Sequence, residues 1–313
     1  MRKILLASTA LVALTSVSAM AADVTISGGY NFIYQNDDKD SNTDAGSFSS
    51  EGDVNIQFSN TTDSGITTTL NYGMHETGLN ASDNATDTVA DGAAYDDLNA
   101  SLTGDFGTLY FDPAGDDVAL GGLDEKADKA GEGTDSGMAS GYRGGILGAS
   151  GTTIGYKLPT IVDGLTIALS HGEAANEYFG YGIGYSADMF SIGYVAEATN
   201  TVKNKTVSVG VEVAGISFGA DQVSYKDDSN AAAERKTEAY GVSYSIDSLT
   251  LAYEMGKMDN ENNNTEVENH KQIQVSYAVA PGITAIVSSS EVDSTADDNN
   301  DKEVLELQLK LAF

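Results

Sequence analysis

The residues able to do covalent or metal chemistry are few in this sequence and poorly spaced for it. There is no cysteine, which removes disulfides, thiolate metal sites and cysteine nucleophiles together. The three histidines, His75, His171 and His270, are scattered, and no G-x-S-x-G segment offers a serine nucleophile. Asp38-Lys39-Asp40-Ser41-Asn42 has the D-x-D-x-N spacing of a calcium loop. Thr43 stands where that loop needs glycine, however, and Ser49 where it needs a bidentate glutamate. No catalytic centre, cofactor or built metal site is expected. What remains is electrostatics. Asp112, Asp116, Asp117, Asp124, Glu125 and Asp128 gather in one segment, 112–149, while Arg143, Lys157 and Lys310 are isolated bases. Groups arranged in this way can act on a hydrated ion or polar solute through their field.

The whole chain shares that sign. Lys and Arg total 16 against 47 Asp and Glu, a formal charge of −31, which argues against a nucleic-acid surface. Beyond the N-terminus no apolar run approaches the ~20 residues of a membrane helix. At the N-terminus itself, Arg2 and Lys3 precede an apolar stretch from Ile4 to Val17, and Ala19-Met20-Ala21 follows as a small-residue cleavage site. Residues 1–21 therefore read as a cleaved export signal, and 22–313 as one exported domain.

Period-2 alternation fills that domain. Leu305, Leu307, Leu309, Leu311 and Phe313 share one face, and Glu306, Gln308 and Lys310 the other. Val207/Val209/Val211/Val213 and Tyr240/Val242/Tyr244/Ile246 repeat the pattern. The reading gives sixteen strands, from 24–35 to 302–313, with a change of parity between Ala220 and Val223 taken as a β-bulge. Short turns such as Gly104-Asp105, Ala214-Gly215 and Asp247-Ser248 alternate with longer connections, the longest being 112–149. The second face is Ser, Thr, Gly, Asn and Gln, too small and polar to fill a core. Together these features specify an all-β fold: a 16-stranded antiparallel transmembrane β-barrel with short periplasmic turns and long outer loops. Tyr30, Tyr34, Tyr72, Tyr194, Tyr225 and Tyr253 are expected in its aromatic girdles, and His171 on its lipid face.

The chain resembles the general diffusion porins of Gram-negative bacteria, particularly the alphaproteobacterial branch. The resemblance rests on Asp23-Val24-Thr25-Ile26-Ser27-Gly28-Gly29-Tyr30, on Leu102-Thr103-Gly104-Asp105-Phe106-Gly107-Thr108-Leu109-Tyr110-Phe111, and on the terminal Phe313. It implies a water-filled homotrimeric barrel in the bacterial outer membrane, whose third outer loop folds inward as a constriction. On that basis 112–149 is the constriction loop, with Asp112, Asp116, Asp117, Asp124 and Glu125 as its acids. Arg143, Lys157 and Lys310 are the pore-lining bases, and Phe313 is the signal read by the assembly machinery. The family sets an arginine cluster on the opposite wall. Here the first four strands offer Asn31, Asn55, Gln57, Asn71, Asn99 and Ser101, and no base. The expected function is passive diffusion of small hydrophilic solutes and ions with weak cation preference. The expected partners are outer-membrane lipid and lipopolysaccharide, with Ca2+ or Mg2+ held loosely by outer-loop acids. The alternatives are a substrate-specific channel, or an adhesin or structural barrel with no open pore.

Overall fold

In the computed structural model the described residues are 22–37, 46–77, 98–113, 119–130, 152–172, 177–230, 234–260, 265–294 and 302–313. They form sixteen strands. The first eight are β1 (Asp23–Asp37), β2 (Ser47–Thr61), β3 (Thr67–Thr77), β4 (Leu98–Gly104), β5 (Gly107–Asp112), β6 (Thr153–Lys157), β7 (Leu165–Gly172) and β8 (Tyr178–Ser186). The ring continues with β9 (Phe190–Ala198), β10 (Val202–Val213), β11 (Ile216–Asp227) and β12 (Arg235–Ile246). It ends with β13 (Leu249–Asn260), β14 (Thr265–Ala280), β15 (Ile283–Ser294) and β16 (Lys302–Ala312). Every strand pairs antiparallel with its sequence neighbours, and β16 pairs with β1 to close the barrel. Closure removes the sheet edge, so backbone groups along the wall are paired even in hydrocarbon.

The alternation decides which way each residue faces. On β10, Val207, Val209, Val211 and Val213 point outward and are 37–49 % exposed, whereas Thr206 and Ser208 point inward and are buried. The outward faces of the other strands repeat this, with Phe218, Val242, Leu251, Ile273, Leu307 and Leu309 all exposed. Apolar outside and polar inside is the arrangement a barrel needs when its outer solvent is lipid.

Turn chemistry fixes the hairpins at one end. Ala214 (φ 50°) and Gly215 (φ 81°) both take the left-handed conformation of a type I′ turn, joining β10 to β11 in two residues. The first strand and the C-terminal residue meet at this end too: Gly28 N–H donates to the Phe313 carbonyl at 3.1 Å, and Phe313 N–H to the Gly28 carbonyl at 3.0 Å. The Phe313 ring lies over Gly28, where an added Cβ would come 2.7 Å from its Cζ.

The structure corrects two details of the reading. β11 carries no bulge. It pairs with β10 and β12 without a register shift, and the shifts lie instead at Met258/Asp259 and Ala278/Ala280. Strand β11 keeps its parity because Gln222 stays on the outer face and Val223 turns inward, where it is 4 % exposed. For the same reason Tyr225 faces inward, away from the outer girdle. Tyr30, Tyr34, Tyr72, Tyr194, Tyr253 and His171 have outward parity. At the opposite end the connections are uneven, since β9 and β10 are joined by only 199–201, with Val202 N–H donating to Thr199 Oγ1 at 3.1 Å. The wall is uneven as well: β4 to β7 have 7, 6, 5 and 8 residues, whereas β14 has 16.

Candidate functional site

Of the connection between β5 and β6, the described part, 119–130, lies as a loop along the inner wall of the barrel. Residues of this loop pass in turn over β6, β8, β9, β11 and β12. The wall makes room by presenting glycine at each crossing. A Cβ at Gly180 would come 2.6 Å from Leu120 Cδ1, and one at Gly182 2.7 Å from Leu123 Cδ1. At Gly193, Gly219 and Gly241 an added Cβ would overlap the carbonyl oxygens of Leu123, Lys126 and Ala127. The glycines are therefore a track for the loop backbone, a close approach that no other residue permits.

Buried polar groups hold the loop on that track. Asp221 accepts from Lys126 N–H (3.0 Å to each oxygen) and from Ala127 N–H (2.7 Å). Glu254 Oε1 accepts from the N–H groups of Lys129 and Ala130. Ser208 Oγ donates to the Leu123 carbonyl at 2.6 Å, and Gln272 Nε2 to the Ala130 carbonyl at 2.5 Å. Asp221, Glu254 and Gln272 are each nearly inaccessible to solvent. Charge-assisted bonds of this kind to backbone N–H are worth about 1.5–3 kcal/mol each. An apolar anchor adds to them, with Ala119, Leu120, Ala168 and Val195 packed together and Tyr110 and Leu123 against them.

The facing wall is uncharged over a broad patch. Gln57 Nε2 donates to Asn71 Oδ1 at 2.8 Å, and Asn71 Nδ2 to Asn99 Oδ1 at 2.7 Å, so amides from β2, β3 and β4 form a ladder. With Thr25, Ser27 and Asn55 they line a concavity of about 350 Å³. This is the wall on which the sequence offered no base: its amide ladder is uncharged, and the acids Glu51 and Asp53 share the inner face of β2 farther along the strand.

The expected site residues divide. Asp112 ends β5 and is 3 % exposed, paired in register with Thr153. Asp124 is 1 % exposed, and its Oδ2 has no hydrogen-bond partner among the described residues. Its carboxyl is thus turned into the wall, not toward the lumen. Burial, and after it the neighbouring charge of Glu125, pushes Asp124 up to about 8, with Glu197 and Asp221 contributing in the same direction. Glu197 in turn accepts from Tyr178 O–H at 2.7 Å. Glu125 is exposed and Asp128 half-buried. Lys157 shares the inner face with Gly155, and its Nζ lies 5.3 Å from the Tyr110 ring centroid, a cation–π distance. Lys310 also faces inward, in register with Asn31 and Thr284. Asp116, Asp117 and Arg143 lie outside the described residues, as do 1–21 and the D-x-D-x-N segment.

Sequence reasoning missed the wall-side anchors. Asp221 and Glu254 read as ordinary inward polar residues, and nothing in the sequence announces which loop atoms they meet. The glycine track did leave a signal in Gly180-Tyr181-Gly182-Ile183-Gly184, where glycine fills the inner position of three successive pairs. Glycine repeated on one strand face marks a close approach of other backbone.

Comparison with known proteins agrees with the architecture. A mutant of Rh. blastica porin superposes with a TM-score of 0.68 at 16 % identity, covering 93 % of this chain and 100 % of its own. A triple mutant of Rhodopseudomonas blastica porin gives 0.65 at 15 % identity, with the same coverage. A structure described as "Asymmetric conductivity of engineered proteins" gives 0.64 at 16 % identity, again covering 93 % of this chain and 100 % of its own. At such identities the likeness is one of fold. No curated protein matches the sequence. The profile of the Gram-negative porins matches residues 7–298, nearly the whole chain, and the protein belongs to the Gram-negative porin family.

Proposed function

We propose that this protein is an outer-membrane pore through which small hydrophilic solutes and ions diffuse passively, with a weak preference for cations. The observation that carries the reading is the loop 119–130 lashed to one inner wall opposite a ladder of uncharged amides. That arrangement narrows a barrel without filling it by apolar side chains. Selectivity in such a pore follows from its diameter and from the charges near its narrowest part. The inner-face acids include Glu51, Asp53, Asp112, Glu197, Asp221, Glu254 and Glu306, against bases that include Lys157, Arg235 and Lys310. Glu125, exposed on the loop, adds to the acids. Asp116, Asp117 and Arg143 would complete the constriction from the rest of 112–149. Nothing in this arrangement calls for a catalytic role or a bound cofactor, and divalent cations would be held only loosely at outer acids. A reversal potential measured across a salt gradient tests the preference, and a clear anion preference would overturn it.

A homotrimer accords with the uneven wall. A membrane-crossing strand needs about 9–11 residues, and β5 and β6 have 6 and 5. This low sector meets the membrane better covered by another subunit than by lipid. Chemical crosslinking of the detergent-extracted protein should give a trimer. A uniformly monomeric product would exclude that assembly. Residues 1–21 act as the export signal in this reading, leaving 22–313 as the barrel domain. An N-terminus at residue 22 in protein from the outer membrane is the expected result.

A further inference from the structure

Much of the described inner wall is shielded from the lumen, and one stretch of it is open. On β13 to β16 the inward polar residues Glu254, Gln272, Gln274, Ser288, Ser290 and Glu306 are buried. On β1 to β4, by contrast, Thr25, Ser27, Asn55 and Gln57 are exposed, and Asn71 and Asn99 half-buried. These residues line the concavity of about 350 Å³, a volume within the ~300–1,000 Å³ of small-molecule sites. The strip also stands at the level of the constriction. Gln57 and Asn71 lie four residues in from the strand ends Thr61 and Thr67, and Gly193 and Gly219, under the loop, three residues in from Phe190 and Ile216. A solute passing the loop therefore passes the strip.

The strip has hydrogen-bonding capacity to spare. Each carboxamide carries two donors and two lone pairs. The links from Gln57 to Asn71 and from Asn71 to Asn99 use one donor and one acceptor apiece, and these amides make no other side-chain hydrogen bond among the described residues. Thr25, Ser27 and Asn55 make none among them. The inward side chains of the strip are neither charged nor apolar, so neither an ion nor an apolar solute gains from it. A sugar does gain. Its hydroxyls donate and accept as water does, and one sugar molecule replaces several ordered waters at once. Cross-strand neighbours on one face are about 5 Å apart, a spacing that hydroxyls on opposite edges of a pyranose ring span.

We propose that the strip formed by Thr25, Ser27, Asn55, Gln57, Asn71 and Asn99 is a weak subsite for neutral polyhydroxylated solutes of mono- to disaccharide size, which cross the constriction hydrogen-bonded to it. The subsite rests on the diffusion-pore reading and adds a solute class to it. Weak binding suits the role, because a conducted solute must leave as readily as it enters. Exchange of water for hydroxyl at exposed amides is close to balanced, which keeps the binding weak.

The test uses the purified full-length protein in planar bilayers, with sucrose as probe. The control is an oligo(ethylene glycol) dimethyl ether of equal hydrodynamic radius, which accepts hydrogen bonds and donates none. With current normalised to bulk conductivity, sucrose should lower it saturably, with half-effect at a concentration at least tenfold below that of the ether. The Gln57→Met/Asn71→Leu/Asn99→Leu variant, close in volume and without these amides, should raise the half-effect concentration of sucrose at least tenfold. Equal potency of sucrose and ether on the unaltered protein overturns the proposal whether or not the variant assembles. An unchanged sucrose response in a conducting variant overturns it as well. The two claims fail separately. An unaltered protein that conducts with no saturable sucrose effect refutes the subsite alone, whereas one that inserts without conducting refutes the pore and the subsite with it.

Discussion

Filling the glycine track is the sharpest perturbation of the constriction. Gly193, Gly219 and Gly241 each face a loop carbonyl that an added Cβ would overlap. In a strand, Gly→Ala costs the barrel nothing intrinsically, so the strain falls on the loop contact, at about 1–3 kcal/mol per overpacked site. Against this stand four charge-assisted bonds, from the N–H groups of Lys126, Ala127, Lys129 and Ala130 to Asp221 and Glu254. At about 1.5–3 kcal/mol each they outweigh one overlap several-fold. A single Gly219→Ala should therefore shift the loop and leave it docked, with conductance close to that of the unaltered protein. The triple variant Gly193→Ala/Gly219→Ala/Gly241→Ala sums to about 3–9 kcal/mol, comparable with the whole anchor, and should release it. In planar bilayers the triple variant is expected to replace one quiet conductance level with noisy, fluctuating current. Heat-modifiable gel migration would show that its barrel still closes. A triple variant with an intact barrel and the same quiet level would refute the docking account.

Four further outcomes follow from the same geometry. Asp124 is held protonated while the loop is docked, its carboxyl raised to about 8 by burial, and has an ordinary carboxylate pKa when the loop is released. Docking is then strongest at acid pH and weakens by up to about 1.4 kcal/mol per unit as pH rises from the ordinary carboxylate range to about 8, beyond which it levels off. Current noise should rise over that window and rise less in Asp124→Asn; an identical rise in the variant would remove Asp124 from the explanation. Glu254→Gln replaces a charged acceptor of two loop N–H groups with a neutral one, and should cost docking about 1–2 kcal/mol, read as noisier current with an intact barrel. Lys310→Glu places an acid on the inner face beside Asn31 and should move the reversal potential further toward cations, whereas an unchanged potential would put Lys310 outside the ion path. Deleting Phe313 removes two backbone hydrogen bonds and the ring over Gly28, so barrel closure measured by heat-modifiability should fall sharply.

The barrel was legible in the sequence because membrane strands write their environment residue by residue. The run Val207/Val209/Val211/Val213 gives strand, face and solvent together, and the paired turn residues Ala214-Gly215 give the hairpin. Where the code failed, the inner environment was not uniform. Val223 looked like a slip of register because the inner face was taken to be polar throughout, yet the wall also carries buried apolar residues such as Val195, which packs with Ala119 and Leu120 of the loop. The candidate site was legible in composition and not in contact. The acids of 112–149 suggested a charged edge, and Asp124 was counted among them, although burial takes it out of the lumen. Asp221 and Glu254, the residues that hold the loop, meet partners 94 and 125 positions away, a distance in sequence that no local pattern encodes.

The central claim is an open, aqueous path through the barrel, and single-channel recording in planar bilayers tests it most directly. Addition of the purified protein should produce stepwise, ohmic increases in current, with a reversal potential in a salt gradient displaced modestly toward the cation limit. A folded, heat-modifiable barrel that inserts without conducting would contradict the account.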